Sequence, residues 1–216
     1  MIDLHTHSLL SDGALIPTEL VRRARVAGYA AMAITDHADA SNIEDVLKKL
    51  IKVARQLNTD RTFKVIPGVE LTHIPPRLIP VMVKKARLLG ARVVVGHGET
   101  LSEPVEAGTN RAYIEAKTDI LAHPGLITEA DAGLAAKNGV HLEITTRAGH
   151  SISNGHVAAL GKRCGAGLLL NTDSHAPGDL AGDERALKVA LGAGLTEDDF
   201  KKMQDNADAI VKKIRV

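Results

Sequence analysis

Ten histidines and a scatter of carboxylates give this 216-residue chain the means to bind divalent cations. His5 and His7 form a His-x-His pair with Asp12 nearby. Asp36 adjoins His37, then come Glu70, His97, His123 and, last, Asp173 with His175. A lone histidine is more often structural than a ligand, so no single one of these decides anything. Together they offer imidazole and carboxylate donors without thiolate, a set that suits manganese, iron or zinc rather than a cysteine-rich structural zinc site. The nine candidate ligands His5, His7, Asp12, His37, Glu70, His97, His123, Asp173 and His175 exceed what one ion needs. Two or three divalent ions are implied, with Glu70 able to bridge two of them.

Residues so far apart need a scaffold that gathers them. Seven short apolar runs read as strands: Ile2–Leu4, Ala31–Thr35, Lys64–Val69, Arg92–Val95, Asp119–Ala122, Val140–Thr145 and Leu168–Asn171. Continuous aliphatic runs of this kind belong to strands covered on both faces. Between them, helical patterns recur. Pro17 stands at a first helical position with Gly28 closing the segment, and Ser41-x-x-Glu44 reads as a capping box. Ile43, Val46, Leu47, Leu50, Ala54 and Leu57 mark one buried face, with Lys48, Lys49, Lys52 and Arg55 between them. Further helices are expected over Leu78–Leu89, Asn110–Ala116, Thr128–Asn138, Gly155–Lys162 and Thr196–Ile214.

This alternation argues for a parallel sheet in an α/β fold. Seven repeats in this length favour a closed or nearly closed barrel over an open doubly wound sheet, whose Gly-rich phosphate fingerprint is absent. No linker or low-complexity tract breaks the chain, so a single domain over residues 1–216 is expected. The longest apparent connection runs from Gly96 to Asn110, and long loops in compact domains are often functional.

In a parallel barrel the loops after the strands converge on one face. His5 and His7 follow the first expected strand, Asp36 and His37 the second, and Glu70 the third. His97, His123 and the Asp173/His175 pair follow the fourth, fifth and seventh, and the sixth offers Glu143, Arg147 or His150. An unpaired polar group costs about 1–3 kcal/mol when buried, so a purely structural role for this gathering is hard to sustain.

Composition narrows the partners. Lys plus Arg (27) balance Asp plus Glu (26), so no global field recruits nucleic acid or membrane. Two Phe, two Tyr and no Trp argue against base-stacking platforms. The N-terminus lacks the regions of a signal peptide and no apolar run approaches a membrane span, which points to a cytoplasmic protein. Cys164 stands alone, suits a reducing compartment and is expected to be a small buried apolar residue.

Six segments, in order, resemble the motifs of the polymerase and histidinol phosphatase (PHP) superfamily: DLHTHSLLSDG from Asp3, ITDH from Ile34, PGVEL from Pro67, GHGE from Gly96, AHPG from Ala122 and NTDSH from Asn171. The chain is most similar to stand-alone histidinol-phosphatase-like members. The resemblance implies a distorted (β/α)7 barrel and a trinuclear site. One ion would take His5, His7, Glu70 and Asp173, a second Glu70, His97 and His123, and a third Asp12, His37 and His175. Some relatives carry histidine where this chain has Asp12, which bears on the third ion's affinity.

The chemistry expected is metal-assisted hydrolysis of a phosphate ester. Closely spaced cations lower the pKa of a bridging water, supply hydroxide for in-line attack and stabilise charge on the phosphoryl oxygens. Glu70, Asp173 and His175 are the candidate catalytic residues. Arg147 and Arg111 are candidate phosphate clamps, and His150 a candidate for contacting substrate or donating a proton to the leaving group. A small-molecule phosphomonoester is the leading substrate class, with histidinol phosphate suggested by the resemblance. A nuclease or phosphodiesterase, and a non-catalytic metal-binding regulatory domain, are the alternatives. An amidase-type barrel hydrolase would call for a carboxylated lysine at a strand end, and no lysine is so placed.

Overall fold

The computed structural model describes residues 1–214. Its strands are β1 (Ile2–Asp3), β2 (Ala31–Ile34), β3 (His37–Ala38), β4 (Lys64–Leu71), β5 (Val93–His97), β6 (Ile120–Ala122), β7 (His141–Thr145) and β8 (Leu168–Asn171). Its α-helices are α1 (Pro17–Val26), α2 (Ile43–Leu57), α3 (Ile79–Leu88), α4 (Thr109–Glu115), α5 (Glu129–Asn138), α6 (Asn154–Cys164), α7 (Asp183–Gly192) and α8 (Glu197–Lys213). All pairings between strands are parallel, in the order β1-β2-β4-β5-β6-β7-β8, with β3 adding two residues alongside β4 just past β2. Seven strands therefore build a nearly closed, distorted (β/α)7 barrel, as expected.

Closure between β1 and β8 is sparse. One parallel bridge joins Thr6 and Ser174, with His7 N donating to Ser174 O (2.9 Å) and Asp173 N to His5 O (3.0 Å). Side chains supply the rest of the seam. Asn171 Oδ1 accepts from Leu4 N, and the buried Asp3 carboxylate accepts from Thr172 Oγ1 and from the backbone of His5 and Thr172.

Alternation along each strand splits the core in two. Ala31, Ala33, Val93, Val95, Ile120, Ala122 and Leu169 form one buried cluster inside the barrel, to which α8 contributes Ala207 and Val211. Met32, Ile34, Val65, Val94, Leu142 and Leu170 pack outward against the helices. Small side chains face the barrel axis on β2 because the interior is narrow.

Several local expectations need correction. The Ser41 capping box does not form: Ser41 N and Oγ both donate to Asp39 Oδ1, and Asn42 occupies the N-cap of α2 without a side-chain cap. Thr196 does cap α8, with Asp199 closing a reciprocal box. Helix α7 was not foreseen, because its fully buried residues are only Ala186 and Ala190 and leave a faint pattern. Cys164 is half-buried at the end of α6 rather than buried. No helix among the described residues is long and apolar enough to cross a membrane.

Candidate metal centre

The nine candidate ligands gather at the end of the barrel where the strands finish. Glu70, fully buried near the end of β4, is the hub. Its Oε2 lies 2.9 Å from His37 Nδ1, 3.3 Å from His5 Nε2 and 3.5 Å from His7 Nε2, while Oε1 lies 3.4 Å from His123 Nε2. Asp173 Oδ1 faces His7 Nε2 at 3.1 Å and His5 Nε2 at 3.6 Å. Asp12 lies outside this buried group, with Oδ2 3.3 Å from His175 Nε2 and Oδ1 3.6 Å from His37 Nε2. Potential donor atoms fall into the groups His5/His7/Glu70, His5/His123/Asp173, Glu70/His97/His123 and His7/Asp12/His37/His175, with a fifth, more exposed group of His73/His97/Glu103.

Whether cations fit can be judged from polar atoms left without partners. His5 Nε2, both nitrogens of His7, both oxygens of Glu70, His97 Nδ1, His123 Nδ1 and Asp173 Oδ1 are buried with no hydrogen bond. Such atoms are costly unless something else satisfies them. Two donors bound about 2.1 Å from one ion stand about 3–3.5 Å apart, the spacing seen between these side chains. The residues fit divalent cations.

Charge inside the group is unevenly shared. Burial opposes a charge on His5, but Glu143, Glu70 and Asp173 outweigh it and raise His5 well above its ordinary value. Burial and the neighbouring His37 hold His7 well below it. Burial raises Asp173, whereas for Glu70 the surrounding His5 and His37 overcome burial and hold the carboxyl low.

The local backbone is shaped to this purpose. His123 (φ 27°) and Asp173 (φ 50°) both lie in the left-handed region, where residues other than glycine cluster at functional sites. Gly125, at φ 58°, lies so close to Glu99 O that a Cβ would collide with it, so the two loops can approach there only through glycine. Asp36, expected near the site, is a brace. It accepts from the backbone and hydroxyl of both Ser8 and Ser11 and so fixes the loop carrying His7 and Asp12.

Of the three residues offered by β7 and its loop, Glu143 is fully buried and takes His5 Nδ1 at 2.8 Å, His123 N at 3.1 Å and Asn171 Nδ2 at 2.8 Å. Arg147 sits at the rim, its Nε 3.5 Å from Asp173 Oδ2 and its Nη1 3.5 Å from Asp179 Oδ2. His150 stacks on His123 at 4.3 Å between ring centroids, with Nε2 4.0 Å from Asp173 Oδ2. Arg111 is engaged elsewhere: on α4, it places Nη2 2.7 Å from Asp131 Oδ1 of α5 and is half exposed, which satisfies its charge without a phosphate. Among the remaining histidines, His156 Nε2 pairs with Ile127 O and His141 Nδ1 with Asp119 O.

One site residue went unforeseen. Glu103, in the loop between β5 and α4, places Oε2 3.0 Å from His97 Nε2 and 3.2 Å from His73 Nε2, and Oε1 3.5 Å from His150 Nε2. Only the unusual length of its loop pointed there.

Residues 3–107 match the PHP domain. The chain belongs to the PHP domain family. With that membership it is a phosphoric ester hydrolase. This PHP protein is 53% identical over 201 residues to an uncharacterized protein of Methanocaldococcus jannaschii, covering 92% of each chain. It is 28% identical over 224 residues to a probable phosphatase of Shewanella sp. ANA-3, covering 91% of this chain and 85% of that one. In fold it is similar to a candidate histidinol phosphatase of Listeria monocytogenes (TM-score 0.62, 13% identity), covering 84% of this chain and 97% of that one.

Proposed function

We propose that this PHP protein is a metal-dependent phosphatase that hydrolyses a small-molecule phosphomonoester, with histidinol phosphate the first substrate to test. The observation that carries this reading is the concentration of buried, unpartnered nitrogen and oxygen atoms around Glu70. Its ligands are His5, His7, Glu70 and Asp173 for one cation, Glu70, His97 and His123 for a second, and Asp12, His37 and His175 for a third. Manganese, iron and zinc all suit these donors. Bound there, such cations activate water and neutralise charge on a phosphoryl group.

The protein's own groups do the rest. Glu70, held between histidines through both oxygens, keeps two ligand groups at a fixed separation. Asp173 and His175 bring ligand atoms from the far side of the barrel seam. The Arg147 guanidinium, about a third exposed beside Asp173, is placed to receive a phosphate oxygen in two hydrogen bonds. Burial, with His123 alongside, pushes His150 down to about 4, so it stands neutral and serves the substrate as a hydrogen-bond partner rather than as a strong acid. Near-neutral charge and few aromatics support a compact substrate over a strand of nucleic acid.

The test is phosphate release from a panel of histidinol phosphate, other phosphomonoesters, a generic phosphodiester and oligonucleotides, each with manganese, zinc, iron or no added metal. Metal-dependent hydrolysis of a monoester is expected. Cleavage of diesters alone would replace this reading with a phosphodiesterase, and inactivity of the metal-loaded protein on every substrate would leave a binding role.

A further inference from the structure

Two histidines of the cluster are each paired with a carboxylate that is outside the nine-residue set. His5 gives Nδ1 to Glu143 and keeps Nε2 buried, without a hydrogen bond, 3.3 Å from Glu70. His97 has the reverse arrangement: Nε2 faces Glu103 at 3.0 Å, and Nδ1 is buried and unpartnered. A neutral imidazole has one N–H and one lone pair, so the partner that takes the N–H decides which nitrogen is left for a cation.

We propose that Glu103 is the positioning residue of His97, accepting the Nε2 proton and so presenting Nδ1 to the cation shared with Glu70 and His123. The inference rests on the metal-binding reading above. Glu103 is not a stray surface acid. Its loop is tied down on both flanks: Glu99 Oε1 accepts from Gly108 N and Asn110 N, and Ser102 Oγ donates to Gly149 O. Thr100 Oγ1 pairs with His150 Nδ1 at 2.6 Å, which fastens the same loop to the one after β7. Within this frame the carboxylate meets His73 past β4, His97 at the end of β5 and His150 past β7. Glu143 performs the corresponding task for His5 from inside a strand and at zero exposure, whereas Glu103 performs it from a loop at 36% side-chain exposure. One ligand is therefore fixed from within a strand and the other from a loop tethered at both flanks.

The experiment is zinc affinity by chelator competition on wild type, Glu103→Ala and Glu103→Gln, with the absorption spectrum of each protein saturated with cobalt(II). Glu103→Ala should weaken one bound cation by about 10- to 100-fold, the usual cost of losing such a partner. Glu103→Gln keeps a carbonyl acceptor and should lose less, which also guards against a variant that merely folds badly. The saturated cobalt spectrum should match wild type in both, because the ligands are unchanged. Equal affinity in all three proteins overturns the proposal, and so does an altered spectrum, which would make Glu103 a ligand. A wild type that binds no cation at all would instead remove the metal-binding reading beneath it.

Discussion

The buried half of the cluster and its rim are built differently. His5, His7, Glu70, His123 and Asp173 are almost wholly inaccessible and sit on strand ends braced by Glu143, Asn171 and the barrel seam. Asp12 lies on a loop with its side chain 55% exposed, and its partners His37 and His175 are 26% and 13% exposed. Donor spacing is similar in both halves, but what holds the donors is not. The buried half is prearranged by packing before any cation arrives. The rim is carried by the long connection from β1 to α1, the two-residue β3 and the turn past β8, and is the natural place for a cation to exchange.

The most severe way to test this division is Glu70→Gln, which removes the charge at the hub of the buried half. Turnover should fall by about a thousandfold or more, as when residues act as one unit. Full activity in a metal-replete variant would dissolve the distinction. Glu143→Ala comes next, since it strips a buried partner from His5. Breaking a buried ion pair in this way costs about 3–5 kcal/mol, to be read as a lower urea midpoint in the metal-free protein. A stability loss below 1 kcal/mol would show that the strand-borne half is not prearranged by packing. Asp12→Ala should do the opposite. It should weaken one cation and lower kcat/KM while changing stability by no more than about 0.5 kcal/mol, the range for exposed sites. A large drop in Tm would place Asp12 with the core.

Most of both halves was legible in the sequence because strand-end residues of a parallel barrel must converge, whatever the side chains between them do. His97 and His123 could be assigned to one mouth from strand order alone. Glu103 could not, since an 11-residue loop carries no period that says where its sixth residue will point. The role of Glu143 was equally hidden: a carboxylate in the middle of a strand reads the same whether it binds a cation or orients the histidine that does. The partner of Arg111 was hidden for a related reason, as nothing in the sequence pairs an arginine on one short helix with Asp131 on the next.

The smallest effect lies outside the nine-residue set, two residues before Glu143 on β7. Burial lowers His141 below the ordinary value of 6.5, so its stabilising contribution is complete above that pH and is lost as the pH falls toward its folded value. His141→Gln should flatten the slope of Tm against pH in the mildly acidic range and leave cation affinity unchanged. A changed affinity would show that this position also communicates with the cluster.

The sparse seam between β1 and β8 also bears on the order of folding. It joins positions some 168 residues apart, counting from Thr6 to Ser174, and contacts that distant form late because the loop they close is costly. His5 and His7 stand on one lip of that seam, Asp173 and His175 on the other. A cation held across it can bind only after the first and last strands of the barrel have met. Once bound it must be released, or carried, before they part, so metal loading should slow unfolding more than it speeds folding.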